Sequence, residues 1–326
     1  RIEGADRPRD LLIVDGRIRS VGVARHDLFG LEDLEVTDLE GRFVRPGLWD
    51  MHVHVGQWAL RSARLDVSAA HSAAETVDVI RAHLAVHPQP AGTVLVGQGF
   101  RDGLWPDAPH PELLELGGTA VALVSADVHT VWANRTALRI LGLGDEHWWL
   151  REQPAFDVNV RLNTVDGATL DSLVLAAAAR AAERGVVGIA DFEFDDAPGA
   201  WMRRFAAGFR GLRVRAQVYP QQLDAARAAG VRTGAVLGDS GGLLTGGRYK
   251  LFTDGSLNTR TAWCDDPYPG LEGAEACGLP SYEDGGLLRA AREGVAAGIV
   301  PTIHAIGDRA VAEALDVFAA LDIPGQ

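Results

Sequence analysis

The second half of the chain repeats one pattern, in which a helical segment, a glycine and a short apolar strand follow one another. Residues 170–184 have a helical composition, Gly185 is placed to end that helix, and residues 186–190 form an apolar run. The same order returns later in the chain, in residues 283–297, Gly298 and residues 299–303. Helices that alternate with buried apolar strands cover the faces of a parallel sheet, so the pattern predicts an α/β fold.

Five strands of such a sheet can be assigned, and polar residues gather where they end. In chain order they are residues 48–54, 186–191, 213–219, 249–254 and 299–304. A (β/α)8 barrel carries its chemistry at the carboxyl ends of its strands. We therefore predict a (β/α)8 TIM-type barrel over residues 46–326, with strands one to five present.

Two histidines on the first of these strands are the main candidates for chemistry. His52 and His54 follow the Pro46-Gly47 turn and are two residues apart, so both project from one face of the strand. A single buried histidine usually has a structural role, whereas two imidazoles that face one point supply half of a metal site. We therefore predict that His52 and His54 bind a divalent metal ion, with zinc as the expected element.

Two further polar residues lie on the fourth and fifth strands. Lys250 lies inside the fourth strand, and His304 ends the fifth. A lysine in an apolar strand is costly as a cation unless it is paired or neutralised. The pattern by itself favours a salt bridge to Asp254, Asp191 or Glu193, or an amine that reaches solvent. The alternative is a carbamate, formed with carbon dioxide, whose anionic oxygens would bridge two metal ions.

The chain in front of the barrel is predicted to form a small β-domain over residues 1–45. Residues 11–23 are typical of a β-hairpin around Asp15-Gly16, a favourable two-residue turn. Residues 34–44 alternate in the same way around Glu40-Gly41, which predicts further strands.

Residues 60 to about 165 are predicted to form an inserted α/β subdomain over the mouth of the barrel. Ser72 and Glu75 form a capping-box pattern at the start of a helix. The glycine-rich run at residues 97–99 lacks the spacing and the lysine of a phosphate loop, so we interpret it as a backbone turn. Five tryptophans predict a partly apolar pocket, although such residues more often belong to a core: Trp58, Trp105, Trp132, Trp148 and Trp149.

Composition restricts the partners that we expect. With 326 residues, 47% of them hydrophobic, the chain can bury a large core. Its formal net charge of −13 argues against nucleic acid and anionic membrane surfaces, and we expect a small-molecule substrate. Cys264 and Cys277 are too few for a disulfide framework, so a reducing, cytoplasmic setting is the default. A homo-oligomer is left open.

Three longer motifs connect the strands to a known family. They are Pro-Gly-Leu-Trp-Asp-Met-His-Val-His at 46–54, Tyr-Lys-Leu-Phe-Thr-Asp-Gly-Ser-Leu-Asn-Thr-Arg-Thr-Ala at 249–262, and His-Ala-Ile-Gly-Asp-Arg-Ala-Val at 304–311. With these motifs the chain resembles the amidohydrolase superfamily, and within it the branch that includes N-substituted formamide deformylase. Weaker matches are Asp127-Val128-His129 with Asn134, and Leu150-Arg151-Glu152. The resemblance spans nearly the entire chain.

The resemblance implies a ligand set and a reaction. His52 and His54 would bind one ion, carboxylated Lys250 would bridge to a second ion, and His304 would hold the second. With the family motif around it, Lys250 is expected as a carbamate rather than as an ion-pair partner. The expected activity is hydrolysis of a non-peptide, amide-like C–N bond by a water that one or two metal ions activate. Asp308 is expected to cap the helix after strand five.

The sequence also departs from the family. Its members continue with a histidine ligand on strand six and, on strand eight, an aspartate that binds metal and acts as general base. Neither is found before Gln326, so we expect residues 1–326 to be part of a longer protein. Two alternatives stay open: a ring deaminase with a mononuclear site, and a catalytically inactive barrel if the chain truly ends at Gln326.

Candidate substrate-binding residues complete these expectations. His129 and Trp105 lie in the predicted insertion, and Asp254 and Arg260 follow the fourth barrel strand. For His129, and for Asn134 close by, ordinary turn and cap roles are at least as well supported.

Overall fold

A computed structural model describes residues 9–22, 30, 34–144, 147–257, 259–273, 275–283, 285–321 and 323. The chain divides into two units, Arg1–Leu48 and Trp49–Gln326. The boundaries predicted at residue 45 and at about 60–165 stay predictions.

The strands of the described ranges are, in chain order, β1 (Leu11–Val14), β2 (Arg17–Val21), β3 (Leu48–Val53), β4 (Leu65–Asp66), β5 (Val94–Phe100), β6 (Ala120–Ser125), β7 (Thr130–Ala133), β8 (Trp149–Arg151), β9 (Val186–Asp191), β10 (Arg213–Val218), β11 (Leu244–Phe252) and β12 (Pro301–His304). The α-helices are α1 (Val55–Ser62), α2 (Ala73–Val86), α3 (Arg135–Ile140), α4 (Gln153–Asn163), α5 (Gly167–Glu183), α6 (Ala197–Ala206), α7 (Leu223–Ala228), α8 (Gly286–Ala296) and α9 (Asp308–Ala320). No helix in these ranges combines the length and the apolar composition that a bilayer crossing requires.

The first unit contains the predicted hairpin. β1 and β2 pair antiparallel around Asp15-Gly16, where both residues have positive φ angles of 51° and 72°. The strands predicted over residues 34–44 are not formed, and these residues contain a turn at Glu40-Gly41 and one bridge residue, Val44. Alternation alone did not produce strands there, and Val36 stays 80% exposed and Phe43 66% exposed.

A five-stranded sheet of the second unit carries the predicted barrel strands, in the order β12-β11-β10-β9-β3. The β9–β10, β10–β11 and β11–β12 pairs are parallel. Gly185 and Gly298, with φ of 84° and 77°, end the helices before β9 and β12 as the pattern predicts. These features confirm an α/β, TIM-like fold. β11 begins at Leu244, earlier than the predicted 249, because residues 244–246 also pair with β10.

Helices and strands bury one large apolar cluster in this part of the chain. The cluster includes Trp201 and Phe205 of α6, Tyr249 and Leu251 of β11, and Leu287 of α8, all less than 2% exposed. Burying such a side chain contributes about 1.5–3 kcal/mol, so the sheet and its helices form one packed body.

A second sheet has the strand order β4-β5-β6-β7-β8. The β4–β5 and β5–β6 pairs are parallel, and the β6–β7 and β7–β8 pairs are antiparallel. Ser72 accepts the Glu75 N–H at 3.0 Å and caps α2, while the Glu75 carboxylate accepts the N–H of His71. Trp132 is fully buried in this part of the chain, and Trp105, Trp148 and Trp149 pack around the same apolar clusters. Their contacts are those of core residues, the more common role for tryptophan.

The glycine-rich run at residues 97–99 is strand and not the predicted turn. It lies in β5, which pairs with β6 and shifts its register between Gln98 and Phe100. Gly99, with φ of 99°, supplies the conformation that this irregularity requires. The interpretation as a turn was wrong because the neighbouring strand, and not the local composition, decides the pairing.

Candidate metal centre

His52 and His54 lie side by side at the end of β3, as their spacing predicts. His54 is the residue before the first turn of α1, and the two ring centroids are 5.7 Å apart. Each ring stacks on an aromatic side chain that follows β9. His52 lies 4.0 Å from Phe192 at an interplanar angle of 12°, and His54 lies 4.8 Å from Phe194. The aromatic rings therefore hold both imidazoles in fixed orientations.

The surroundings lower the pKa of both imidazoles. Burial lowers the pKa of His52, and the charges of Lys250 and His54 lower it further. Burial also lowers the pKa of His54, against the opposing charge of Glu193. A metal ion binds the neutral imidazole, so these shifts favour the form that can act as a ligand.

Lys250 is a buried amine surrounded by aromatic rings. Its residue is only 5% exposed, and its Nζ lies 4.7 Å from the ring centroid of Phe252 and 5.4 Å from that of Phe192. Burial lowers the pKa of this amine. Within the described part of the chain it forms no ion pair, so the salt bridge that the sequence pattern favoured is absent there.

His304 ends β12, as predicted, and is held by the loop after β11. Its Nε2 donates to the carbonyl oxygen of Gly255 at 3.0 Å and lies 3.7 Å from Oδ1 of Asp254. Because a carbonyl only accepts, Nε2 carries the proton, and the lone pair of the neutral ring lies on Nδ1. The charge of His304 is among the causes that lower the pKa of His52, which places both residues in one electrostatic neighbourhood.

The chemistry of these residues fits a divalent metal ion. The Nδ1 atom of His54 is buried and has no hydrogen-bond partner, and such an atom is expected to be satisfied in a folded protein. Imidazoles of lowered pKa and a deprotonated or carboxylated lysine are metal-ligand chemistry. No group of three or more His, Cys, Asp or Glu residues within the described ranges is arranged to hold an ion without Lys250.

Asp254, a predicted substrate-binding residue, is instead enclosed by the backbone. Its side chain is fully buried, and Oδ2 accepts the N–H groups of Trp263 at 2.9 Å and Gly307 at 2.8 Å. Oδ1 accepts the N–H of Ile306 at 3.1 Å. These bonds join the loop after β11 to the loop that follows His304, so the observed contacts of Asp254 position the backbone beside a candidate ligand.

Each of the other predicted substrate-binding residues has its own surroundings. The Nδ1 of exposed His129 lies 2.9 Å from Oε2 of Glu152. Trp105 packs against Phe100 and Trp132 in the core of the second sheet. Arg260 is exposed in a turn, with φ of 57°.

Two residues near these predictions have clear structural roles. Asn134 is the N-cap of α3, in agreement with the cap role considered from the sequence, because its Oδ1 accepts the N–H of Ala137. The same oxygen also accepts the N–H of Val121. Asp308 is the first residue of α9 and does not cap it. The N-cap is Gly307, and the Asp308 carboxylate accepts the N–H of Asp265 at 2.7 Å.

Sequence reasoning missed the role of two acids at the end of β9. Asp191 accepts the N–H of Val55 at 3.2 Å, and Glu193 accepts those of Gly56 at 2.8 Å and Gln57 at 3.2 Å. These are the first three residues of α1, which begins directly after His54, so both acids fix the chain at the metal centre. Their position at a strand end was visible in the sequence, but their partners 136 and 137 residues away were not.

Burial sets the protonation of the first of these acids. It raises the pKa of Asp191 to about 6, although bonds from the Trp201 indole N–H at 2.7 Å and from backbone N–H groups favour the charged form.

Two known proteins have sequences similar to that of this chain. The chain is 24% identical over 323 residues to the exoenzymes regulatory protein AepA of Pectobacterium carotovorum, covering 88% of this chain and 67% of that protein. It is 24% identical to the putative amidohydrolase YtcJ of Bacillus subtilis, covering 97% of this chain and 63% of that protein. The chain thus spans about two thirds of the length of these relatives.

A solved structure shows a similar fold. The crystal structure of an uncharacterized metal-dependent hydrolase from Pyrococcus horikoshii superposes with a TM-score of 0.72 at 25% identity, covering 95% of this chain and 64% of that one. A counterpart from Pyrococcus furiosus gives a TM-score of 0.73 at 23% identity, covering 95% of this chain and 66% of that one.

The family is decided by a match along most of the sequence. A model of the amidohydrolase family matches residues 35–325, which include β3, β11 and β12 with all four candidate ligands. The chain therefore belongs to the amidohydrolase family.

Proposed function

We propose that this chain carries the metal-binding part of a hydrolase that cleaves a non-peptide, amide-like C–N bond. The observation that carries the proposal is that His52 and Lys250, which lie on different strands of one sheet, both contact the ring of Phe192, with His54 next to His52. Burial lowers the pKa of all three, and a lowered pKa favours the neutral nitrogen that a metal ion binds. Within the family, we propose the branch that includes N-substituted formamide deformylase.

The ligand roles that we propose are those that the resemblance to the family implies. His52 and His54 would hold one ion, and His304 together with a carbamate on Lys250 would hold a second. A zinc-class ion, when bound, lowers the pKa of water to about 7 and polarises a substrate carbonyl. The buried amine of Lys250 is suited to carboxylation because only a neutral amine adds to carbon dioxide, and the resulting carbamic acid then loses its proton.

Other residues of the chain keep this site in place. Asp191 and Glu193 hold the first turn of α1, which fixes the backbone after His54. Asp254 holds the loop after His304 through the N–H groups of Ile306 and Gly307. Such supporting groups set the orientation of ligands, and their loss typically weakens metal binding about 10- to 100-fold.

The test is a substrate screen on the full-length protein, prepared with zinc and with the metal removed. We expect the metal-loaded protein to release amine from N-formyl or N-acyl amines, and the metal-free protein to release none. Ring amines that could be deaminated serve as the comparison set, with ammonia as the measured product. Release of ammonia from a ring amine, with one metal ion per chain, would contradict the proposal.

A further inference from the structure

A cavity of about 660 Å³ lies beside the candidate metal centre, on the side of His54. Its wall includes residues of α1, the strands β5 and β6, the helix α4 and Phe194. Phe194 also stacks on the ring of His54, so one aromatic side chain connects the cavity to that ligand. Its volume is in the range of small-molecule sites.

Two arginines in this wall, Arg61 and Arg64, form no ion pair within the described residues, although the charge of Arg61 acts on Asp66 and helps to lower the pKa of that carboxyl. The Nη2 of Arg64 donates to Oδ1 of Asn163 at 2.6 Å and to Oδ1 of Asn159 at 3.0 Å, and both acceptors are neutral amides. In the ranges that the structure describes, neither Nε nor Nη1 of Arg64 has a hydrogen-bond partner, and neither Arg61 nor Arg64 forms an ion pair. The two guanidinium groups therefore keep free donors in the cavity.

The electrostatics of Arg64 also indicate a missing negative charge. Burial lowers the pKa of Arg64, and the neighbouring charge of Arg61 lowers it further, with no carboxylate among the opposing causes. Burying a cation without a counter-charge is costly, although the chain has 44 acidic residues from which a partner could have come.

The acids that share the cavity wall do not fill this role. Glu193 accepts the backbone N–H groups of Gly56 and Gln57 and the Nε2 group of Gln57. Asp195 is exposed and forms no ion pair with either arginine.

We infer that this cavity binds an oxyanion group of the substrate, a carboxylate or a phosphate, through Arg61 and Arg64. Asn159 and Asn163 accept from Nη2 of Arg64, which leaves the N–H groups of Nε and Nη1 as separate donors to the anion. The amide-like bond of the same molecule would then lie towards His54. The identity of the occupant as substrate rests on the proposed function, whereas the binding of an anion does not.

The test compares two matched ligands on the metal-loaded full chain. N-acetylglycine carries a carboxylate, and N-acetylglycinamide has the same frame without the charge. Isothermal titration calorimetry measures the Kd of each, with inorganic phosphate as a third probe that separates phosphate from carboxylate preference. The variants are Arg64→Gln, Arg61→Gln and Asn159→Asp. The Asn159→Asp variant keeps Arg64 and the size of the neighbouring side chain, and it places a carboxylate against the Arg64 guanidinium.

Arg139→Gln is the control, because Arg139 is an exposed arginine of α3 that bonds only within its own helix. We expect the Arg64→Gln and Asn159→Asp variants to weaken binding of N-acetylglycine by roughly 10- to 100-fold, the range for bonds to charged groups. Binding of N-acetylglycinamide and all properties of the control should stay unchanged. Unchanged N-acetylglycine binding in correctly folded Asn159→Asp protein would overturn the inference.

Hydrolysis of the same two compounds separates this inference from the proposed function. If both amides are cleaved at equal rates and the variants cleave them equally, the anion site is refuted and the hydrolase proposal stands. If neither is cleaved but the variants lose anion binding, the anion site stands and the amide substrate is refuted.

Discussion

The ring of Phe192 lies flat against the imidazole of His52, with centroids 4.0 Å apart and planes 12° apart. Lys250 also lies near this ring, with its Nζ 5.4 Å from the Phe192 centroid. One aromatic side chain at the end of β9 thus orients a candidate ligand on β3 and excludes water near a candidate ligand on β11.

Replacing Phe192 with leucine tests this relationship. The Phe192→Leu variant should bind zinc on the order of tenfold more weakly, because His52 loses the surface that fixes its ring. Stability should fall by about 1–2 kcal/mol. Competition with a metal chelator measures the first effect and urea unfolding the second. The control is Phe209→Leu, because Phe209 contacts the rings of Trp201 and Phe205. This variant should lose stability and keep its zinc affinity. Equal loss of zinc affinity in both variants would count against the relationship.

Removing both histidines should remove the metal. We expect the double variant His52→Ala with His54→Ala to take up no zinc while keeping its circular dichroism spectrum, because function is invested at the carboxyl ends of barrel strands. The matched control is the double variant His83→Ala with His87→Ala, a surface pair on and next to α2 with centroids 4.8 Å apart. Zinc content equal to that of the wild type in the first variant would refute the assignment.

Lys250 distinguishes a carbamate from a simple buried amine. The Lys250→Ala protein should lose activity and recover part of it when a short carboxylic acid is supplied in place of the carbamate. The Lys250→Arg protein should not recover, because a guanidinium stays charged and cannot take up carbon dioxide. Activity against the best N-acyl substrate, with and without added acid, is the measurement. A milder effect of arginine than of alanine, with no rescue, would indicate an ordinary cation.

Asp254 is expected to act through the backbone and not through the substrate. In Asp254→Asn, the amide group cannot accept all of the N–H bonds from Trp263, Ile306 and Gly307, and each unsatisfied buried donor costs about 1–3 kcal/mol. We expect unfolding in urea at lower concentration, together with weaker zinc binding. The exposed Asp195→Asn variant is the control. A raised KM with unchanged stability would instead identify Asp254 as a substrate ligand.

The buried carboxyl of Asp191 should make stability depend on pH. Its pKa rises from 3.8 to about 6 on folding, so between these values the folded state binds more protons than the unfolded state. The contribution of Asp191 to the free energy of unfolding therefore falls as pH rises from about 4 to about 6, by at most roughly 3 kcal/mol. The Asp191→Asn variant should lack this fall when unfolding is measured at pH 4, 5, 6 and 7. Parallel curves for the two proteins would show that Asp191 does not titrate in this way.

The sequence by itself determined the features that depend on neighbours along the chain. The helix, glycine and strand pattern placed β9 and β12, the Asp15-Gly16 turn placed the first hairpin, and the spacing of His52 and His54 placed both rings on one side. Each of these depends on local backbone geometry, which a short stretch of sequence specifies.

Only the tertiary structure decided which groups meet. Strands were predicted at residues 34–44 and did not form, and a turn was predicted at 97–99 within what became β5, because pairing needs a partner strand. The N–H groups that donate to Asp254 lie 9, 52 and 53 residues further along the chain, and its predicted contact with substrate stays a prediction. The aromatic surroundings of Lys250, and the bonds from Asp191 and Glu193 to α1, likewise join distant segments. The sequence specifies which functional group each side chain carries, but the packing of the whole chain decides which groups that side chain contacts.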